Sequence, residues 1–414
     1  YKDVRPWAKS IREKVVNRTM PPWHADPHVG QWANDARLSQ TEIDKIAAWV
    51  EQGAAEGEAK DLPAAPAFTN GWRIGQPDVV IPIPETYTLE ASGPDEYQYF
   101  EVDPGFKEDV YVQQAEARPD NRRVVHHIIA FVKAPVPTEK AASSANLSKE
   151  EEARRKAEAE KNDTKYQDGF LRRTKADAPI HNDSCSLPNG GAGHDWEGKQ
   201  DGGAITWLAA YAPGTPPFRL KQGTAIRVAA GSKIMFQMHY SKVAGSPQKD
   251  RSSIGLIFSK AQPEKEQFTR AVANEYFRIP AGASLFRVAA CWTVPEDISV
   301  TAIAPHMHVR GKAQRIEAFY PNGQRELLLD VPAYDFNWQE SYEPAKPMAF
   351  PKGTRVLVSS WFDNSARNAA NPDPSKVVRW GDPTYDEMMI AFISYTKDAQ
   401  VKAETQEETN LKTK

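Results

Sequence analysis

Ile298-Ser299-Val300-Thr301-Ala302-Ile303-Ala304-Pro305-His306-Met307-His308 is the most informative stretch of this chain. It is an apolar run of small and β-branched residues that reads as a strand, and in a strand residues two apart point to the same face. His306 and His308 then project together and can chelate one metal ion. An exposed pair is the other reading of such a stretch, but the small apolar approach favours ligands.

Similar short runs recur along the chain, separated by turn residues. Prolines number 32 and glycines 24, which points to a mainly β protein with many turns. A length of 414 residues exceeds what one core usually supports, so two or three domains are expected. The β-rich body begins near Val79, and its halves open alike, with Tyr99-Phe100-Glu101-Val102-Asp103-Pro104-Gly105 in one and Tyr276-Phe277-Arg278-Ile279-Pro280-Ala281-Gly282 in the other. We expect a first sandwich over 79–262 and a second over 263–396. The Lys-, Glu- and Ala-rich stretch 141–175 reads as a solvated helix inserted in the first, and 397–414 as a polar tail.

Ahead of the β body lies a helical unit, residues 1–56, followed by a linker over 57–78. Val4, Trp7, Ile11 and Val15 fall at helical spacing, and the pattern breaks at Met20-Pro21-Pro22-Trp23. A second helix is marked by a Ser39/Glu42 capping box, an apolar stripe of Ile43, Ile46, Ala47 and Val50, and a stop at Gly53. The chain starts at Tyr1 already inside a helical pattern, so an upstream segment with an export signal is expected.

Charge narrows the function classes. Lys plus Arg total 52 against 55 acidic residues, a balance that gives no footprint for nucleic acid and no polybasic membrane arm. No apolar run is long enough for a membrane span. Cys185 and Cys291 are too few for a disulfide scaffold or a thiolate zinc site, which leaves one bridge open. There is no nucleophile elbow, phosphate-cradling glycine loop or HExxH helix.

Four further residues have metal-ligating chemistry. His126 and His127 lie between Val124-Val125 and Ile128-Ile129-Ala130. Adjacent strand residues face opposite ways, so the pair reads either as one core and one solvent histidine or, with a bulge or strong twist, as two ligands of one metal. His239, in Ile234-Met235-Phe236-Gln237-Met238-His239-Tyr240, also reads as a satisfied core residue. Met388, in Asp386-Glu387-Met388-Met389-Ile390, reads as core or as a thioether ligand, and a soft sulfur suits Cu(I). His24, His28, His181 and His194 read as loop or surface residues.

Taken in order, His126-His127, His239-Tyr240, His306-Met307-His308 with Gly311-Lys312, and Asp386-Glu387-Met388 resemble the copper type II, ascorbate-dependent monooxygenases, the family of peptidylglycine alpha-hydroxylating and dopamine beta-monooxygenases. The likeness covers roughly Val79 to Tyr395. It implies two jelly-roll-like β-sandwiches with a copper ion in each. His126, His127 and His239 would hold an electron-storing copper, and His306, His308 and Met388 the copper at which O2 and a small-molecule substrate meet. It further implies a C–H hydroxylating oxidoreductase fed by an external reductant or a cytochrome, in a periplasmic or extracellular setting. A copper-binding electron-transfer or accessory subunit without turnover is the alternative.

The family pattern is not kept throughout. Ala304 stands where peptide-hydroxylating members have a carboxylate-gripping arginine, and Phe392 where they have a tyrosine, so a glycine-extended peptide is not the expected substrate. Cys291 falls near a half-cystine of the animal enzymes whose partner position here reads Ser360, so that bridge is absent. The N-terminal unit resembles the second half of a small c-type cytochrome, which would make Met20 an axial ligand of a haem c attached ahead of Tyr1.

Overall fold

The computed structural model describes residues 1–64, 71–93, 95–135, 164–167, 170–173, 180–186, 205–212, 217–242, 245–381 and 383–397. The chain is mainly β. Its backbone is a nine-stranded sheet that runs, in order, through Val79–Pro82, Ser253–Phe258, Val110–Arg118, Thr224–Val228, Lys265–Ala273, Ile390–Lys397, Ile298–His306 and Met348–Phe350, with Phe218–Arg219 on the flank of Val110–Arg118. Two four-stranded sheets accompany it. One orders Glu96–Val102, Lys233–Tyr240, Val125–Lys133 and Ile205–Tyr211, and the other Phe286–Thr293, Arg355–Phe362, Gly311–Phe319 and Arg325–Val331.

Two separate cores result from the alternation of apolar side chains along these strands. In the first, Val112, Ala115, Ile226 and Leu256 of the long sheet pack with Ile128, Ala130, Phe236 and Met238 of a four-stranded sheet. In the second, Val272, Ile303, Ala391 and Ile393 meet Val288, Ile316, Leu329 and Val358. The halves are joined by a short parallel pairing, Thr224 with Lys265 and Ala225 with Glu266, so one sheet serves both cores.

The N-terminal helices are Ala8–Val16 and Gln40–Glu51. Ser39 caps the second with the reciprocal Glu42 bonds of a capping box. Only Ala8 and Val15 of the first are buried, and Trp7 stays 65% exposed, because two short helices cannot cover a whole stripe. The chain between them is not part of a separate helical unit. Ala25 and Trp32 belong to the second core, and Asp26 N donates to Asp330 O at 2.8 Å while Ala33 N donates to Glu343 O at 2.7 Å.

One further expectation needs correction. A helix over 141–175 fails at its C-terminal end, where Thr164–Gln167 and Phe170–Arg173 pair as antiparallel strands. Tyr166, Phe170 and Leu171 are strand formers and the sequence Asp168-Gly169 between them is a hairpin signal that outweighs the charged composition. The rest of that stretch, 141–163, 168–169 and 174–175, lies outside the described residues, as do His194 and the tail. Ser360 pairs with Val288, and Cys291 bonds Cys185, the one bridge that the sequence left open. The bridge spans 106 residues, a loop whose closure in the unfolded chain is worth about 4–5 kcal/mol.

Candidate metal centre

His126, His127 and His239 come together on the two inner strands of the first four-stranded sheet, at the end where Tyr240 pairs with Val125. His239 pairs with His127, but the next rung joins Tyr240 to Val125, so His126 is an extra residue on its strand. That bulge is the irregularity that two adjacent ligands require, since it re-aims one side chain to the face of the other. One nitrogen from each of the three rings lies within 4.8 Å of the others. His239 is buried, His127 half-buried and His126 exposed, so the group opens outward.

Hydrogen bonds set the ring orientation. His239 Nε2 is 3.0 Å from the Asp95 carboxylate, leaving its Nδ1 lone pair 3.2 Å from His127 Nδ1. Carboxylate–histidine pairing of this kind orients metal-ligating imidazoles. Two nitrogens 3.2 Å apart match what two bonds of roughly 2.0–2.1 Å subtend near a tetrahedral angle. Tyr97 stacks on His239 with ring centres 4.4 Å apart and backs the site. Burial and the neighbouring His126 pull His239 down to about 4, and burial with the other imidazoles holds His127 well below the usual range. Both shifts favour the neutral form of His127 and His239.

The second group is built differently. His306 ends its strand, and His308 lies just beyond it, so the expectation of both residues within one strand is corrected. The ladder stops because a buried side chain takes over the amides: the Glu387 carboxyl accepts from His308 N at 2.8 Å and from Arg310 N at 2.7 Å. The backbone still alternates. Met307 points into the second core, and the rings of His306 and His308 sit 5.3 Å apart. Tyr334 OH clamps both the N–H and the carbonyl of Met307, and a Cβ on Gly311 would come within 2.6 Å of that of Met307.

Each ring has one nitrogen committed and one free. His306 Nδ1 is 2.6 Å from Gln339 Oε1, and His308 Nδ1 is 3.2 Å from the Asp386 carbonyl. Both partners are acceptors, so both Nε2 atoms present lone pairs. Burial draws His308 down to about 3, and pushes the Glu387 carboxyl up to about 8. Met388 follows Glu387, half-buried beside Ile390 and Phe392. The Asp386 and Glu387 contacts therefore tie its loop to both the ring and the backbone of His308.

The two groups sense each other. His306 and His308 both help depress His127, and His239 helps depress His308. Met20, by contrast, is an exposed loop residue at a cis Met20–Pro21 bond. His24 Nδ1 lies 3.6 Å from Glu340, whose carboxyl burial raises to about 7. Reading the sequence alone missed Asp95, Tyr97 and Gln339, which are brought to the rings by strand register and a loop. Glu387 stood in view inside Asp386-Glu387-Met388, without a signal for its role.

No family model matches the chain. Among solved structures, PNGF-II aligns at a TM-score of 0.33 with 10% identity, over 77% of this chain and 65% of its own. A structure described as the triple jelly roll fold and turret assembly in an archaeal virus gives 0.19 with 10% identity, over 77% of this chain and 58% of its own. The VP2 subviral particle of infectious bursal disease virus gives 0.20 with 8% identity, over 78% and 73%. The chain thus spans less than two thirds of the first two.

Proposed function

We propose that this chain is a copper-dependent monooxygenase of the kind its motifs resemble, with two jelly-roll-like sandwiches in tandem. One observation carries this reading: His126, His127 and His239 bring one nitrogen each within 4.8 Å of one another, and His306 and His308 form a second pair with Nδ1 of each ring held by an acceptor. His126, His127 and His239 would hold one copper. His306, His308 and Met388 would hold the other, where a soft thioether favours the reduced ion. Copper bound there would supply one-electron redox chemistry and reactivity toward O2. The overall change is insertion of one oxygen atom into a C–H bond and release of the other as water, with two electrons from an external reductant or cytochrome and two protons.

The chain's own residues supply orientation. Asp95, Gln339 and the Asp386 carbonyl would fix which nitrogen of His239, His306 and His308 faces the metal, and Glu387 fixes the turn that carries His308. The disulfide suits an oxidising, exported setting, and no helix among the described residues is long and apolar enough to cross a membrane. Haem c held by Met20 would require an attachment site outside this sequence.

Reconstitution with copper tests the reading. Two coppers per chain and reductant-dependent uptake of labelled O2 into product are expected. Met388→Ala should abolish product and loosen Cu(I), while His239→Ala should slow electron delivery. Redox-active copper with no oxygenated product would mark an electron carrier, and fewer than two coppers would sink the assignment.

A further inference from the structure

The turn that delivers His126 to the first metal group is basic. Asn121 organises it. Its backbone N–H donates to Asp250 Oδ1 at 2.9 Å, its side-chain amide donates to the Lys249 carbonyl at 3.0 Å, and its own carbonyl accepts from the N–H groups of Val124 and Val125. The Arg251 N–H adds a contact to Asp120 Oδ2 at 3.3 Å. Residues 119–124 and 248–251 are thereby joined into one surface, from which the chain passes directly into the bulge at His126. His126 is the most exposed ring of its group and lies 4.7 Å from the ring of His239. Arg123 precedes it by three residues, a chain length of at most about 11 Å.

This surface exposes Arg122, Arg123, Lys249 and Arg251, and no carboxylate among the described residues forms an ion pair with any of them. Elsewhere on the same half, Lys133 and Lys233 share Glu101, Arg227 pairs with Asp109, and Lys242 pairs with Glu96. Of the two acids on the surface, Asp250 is buried and bonded to Tyr240, Ser252 and Asn121. Asp120 is left to face solvent against four cations, while Glu85 and Glu90 flank the neighbouring strand Tyr87–Leu89. The whole chain carries a formal charge of -3, so this excess is a local positive field at the open side of the three histidines.

Resting on the copper reading of that group, we propose that Arg122, Arg123, Lys249 and Arg251 dock the acidic face of an electron-carrier protein, which delivers its electrons through His126. Each docking oxidises the carrier by one electron and reduces the ion held by the three histidines by one, so two dockings supply the two electrons of one hydroxylation. Long, exposed cations spread over two adjoining segments suit a broad protein face, where arginine forks meet carboxylates. Charges of this kind raise the rate of encounter more than they tighten the complex, which is what repeated one-electron delivery requires.

Binding is tested first on the full chain without copper, with oxidised plant-type ferredoxin as an acidic probe and mitochondrial cytochrome c as a basic control. Ferredoxin should bind and cytochrome c should not. The double reversal Arg122→Glu with Arg251→Glu should weaken ferredoxin at least about tenfold and reduce its salt dependence. Lys107→Glu, an exposed charge at the far end of the strand Val110–Arg118, should change nothing. On the copper-loaded chain, stopped-flow oxidation of reduced ferredoxin should slow in the double variant by about tenfold as well, while reduction by uncharged hydroquinone keeps its rate. Absence of ferredoxin binding, or binding indifferent to the double reversal, would overturn the proposal. So would binding confined to phosphatidylglycerol vesicles, which would mark a lipid-facing surface. Charge-dependent ferredoxin binding by a chain that takes up no copper at His126 would leave the docking surface standing and remove the monooxygenase reading. Ferredoxin-driven hydroxylation unaffected by the double reversal would do the reverse.

Discussion

The two imidazole groups solve one problem, holding neutral rings close together, by opposite means. The first is written into a strand ladder. Three residues on two paired strands converge because a single bulge at His126 lets neighbours share a face. The second hangs from side chains, since the ladder ends at His306 and a buried glutamate, a tyrosine and a tight glycine hold the turn that carries His308. A ladder tolerates the loss of one side chain, because its backbone bonds remain. A network hung on one carboxyl does not.

The largest effect should therefore come from Glu387→Ala. It leaves the buried amides of His308 and Arg310 without acceptors, at about 1–3 kcal/mol each. Urea melts should show a loss of about 3 kcal/mol or more, and copper analysis should show the second equivalent missing while the first is retained. Loss of both, or of neither, would erase the contrast between the groups.

Acid should act next most strongly, on the metal-free protein. A ring held at about 4 in the folded state, against about 6.5 unfolded, stays neutral while the unfolded chain takes up a proton. The stability is full above the unfolded value and is lost as pH falls from there toward about 4. For His239 the loss between pH 7 and pH 5 is about 2 kcal/mol, readable as a falling thermal midpoint. His239→Gln should flatten that slope, and an unchanged slope would refute the neutral-ring description.

The smallest change should follow Asp95→Asn. The ring of His239 stays buried in its strand, so the fold should melt as before. Copper affinity at the first group should fall by about 10–100-fold while the second group is unaffected. An Asn variant with wild-type affinity would show that the ladder alone orients His239.

The histidines of the two groups, their order and the need for a bulge if His126 and His127 are to share a face were legible in the sequence, because strand alternation is a local rule that any short run of residues obeys. The Ser39 capping box was legible for the same reason. The partners were not. Asp95 reaches His239 only through the pairing of Glu96–Val102 with Lys233–Tyr240, and Gln339 reaches His306 from a loop that the N-terminal segment straps down. The Cys185–Cys291 bond and the Thr224–Lys265 junction likewise join residues far apart in the chain. By itself the sequence determined which chemistry could be present, since residue type and periodicity fix what a side chain can donate and which face it takes. Which nitrogen of a ring is committed and which residue holds it were decided by tertiary structure alone, because those are matters of long-range register and packing that no local pattern encodes.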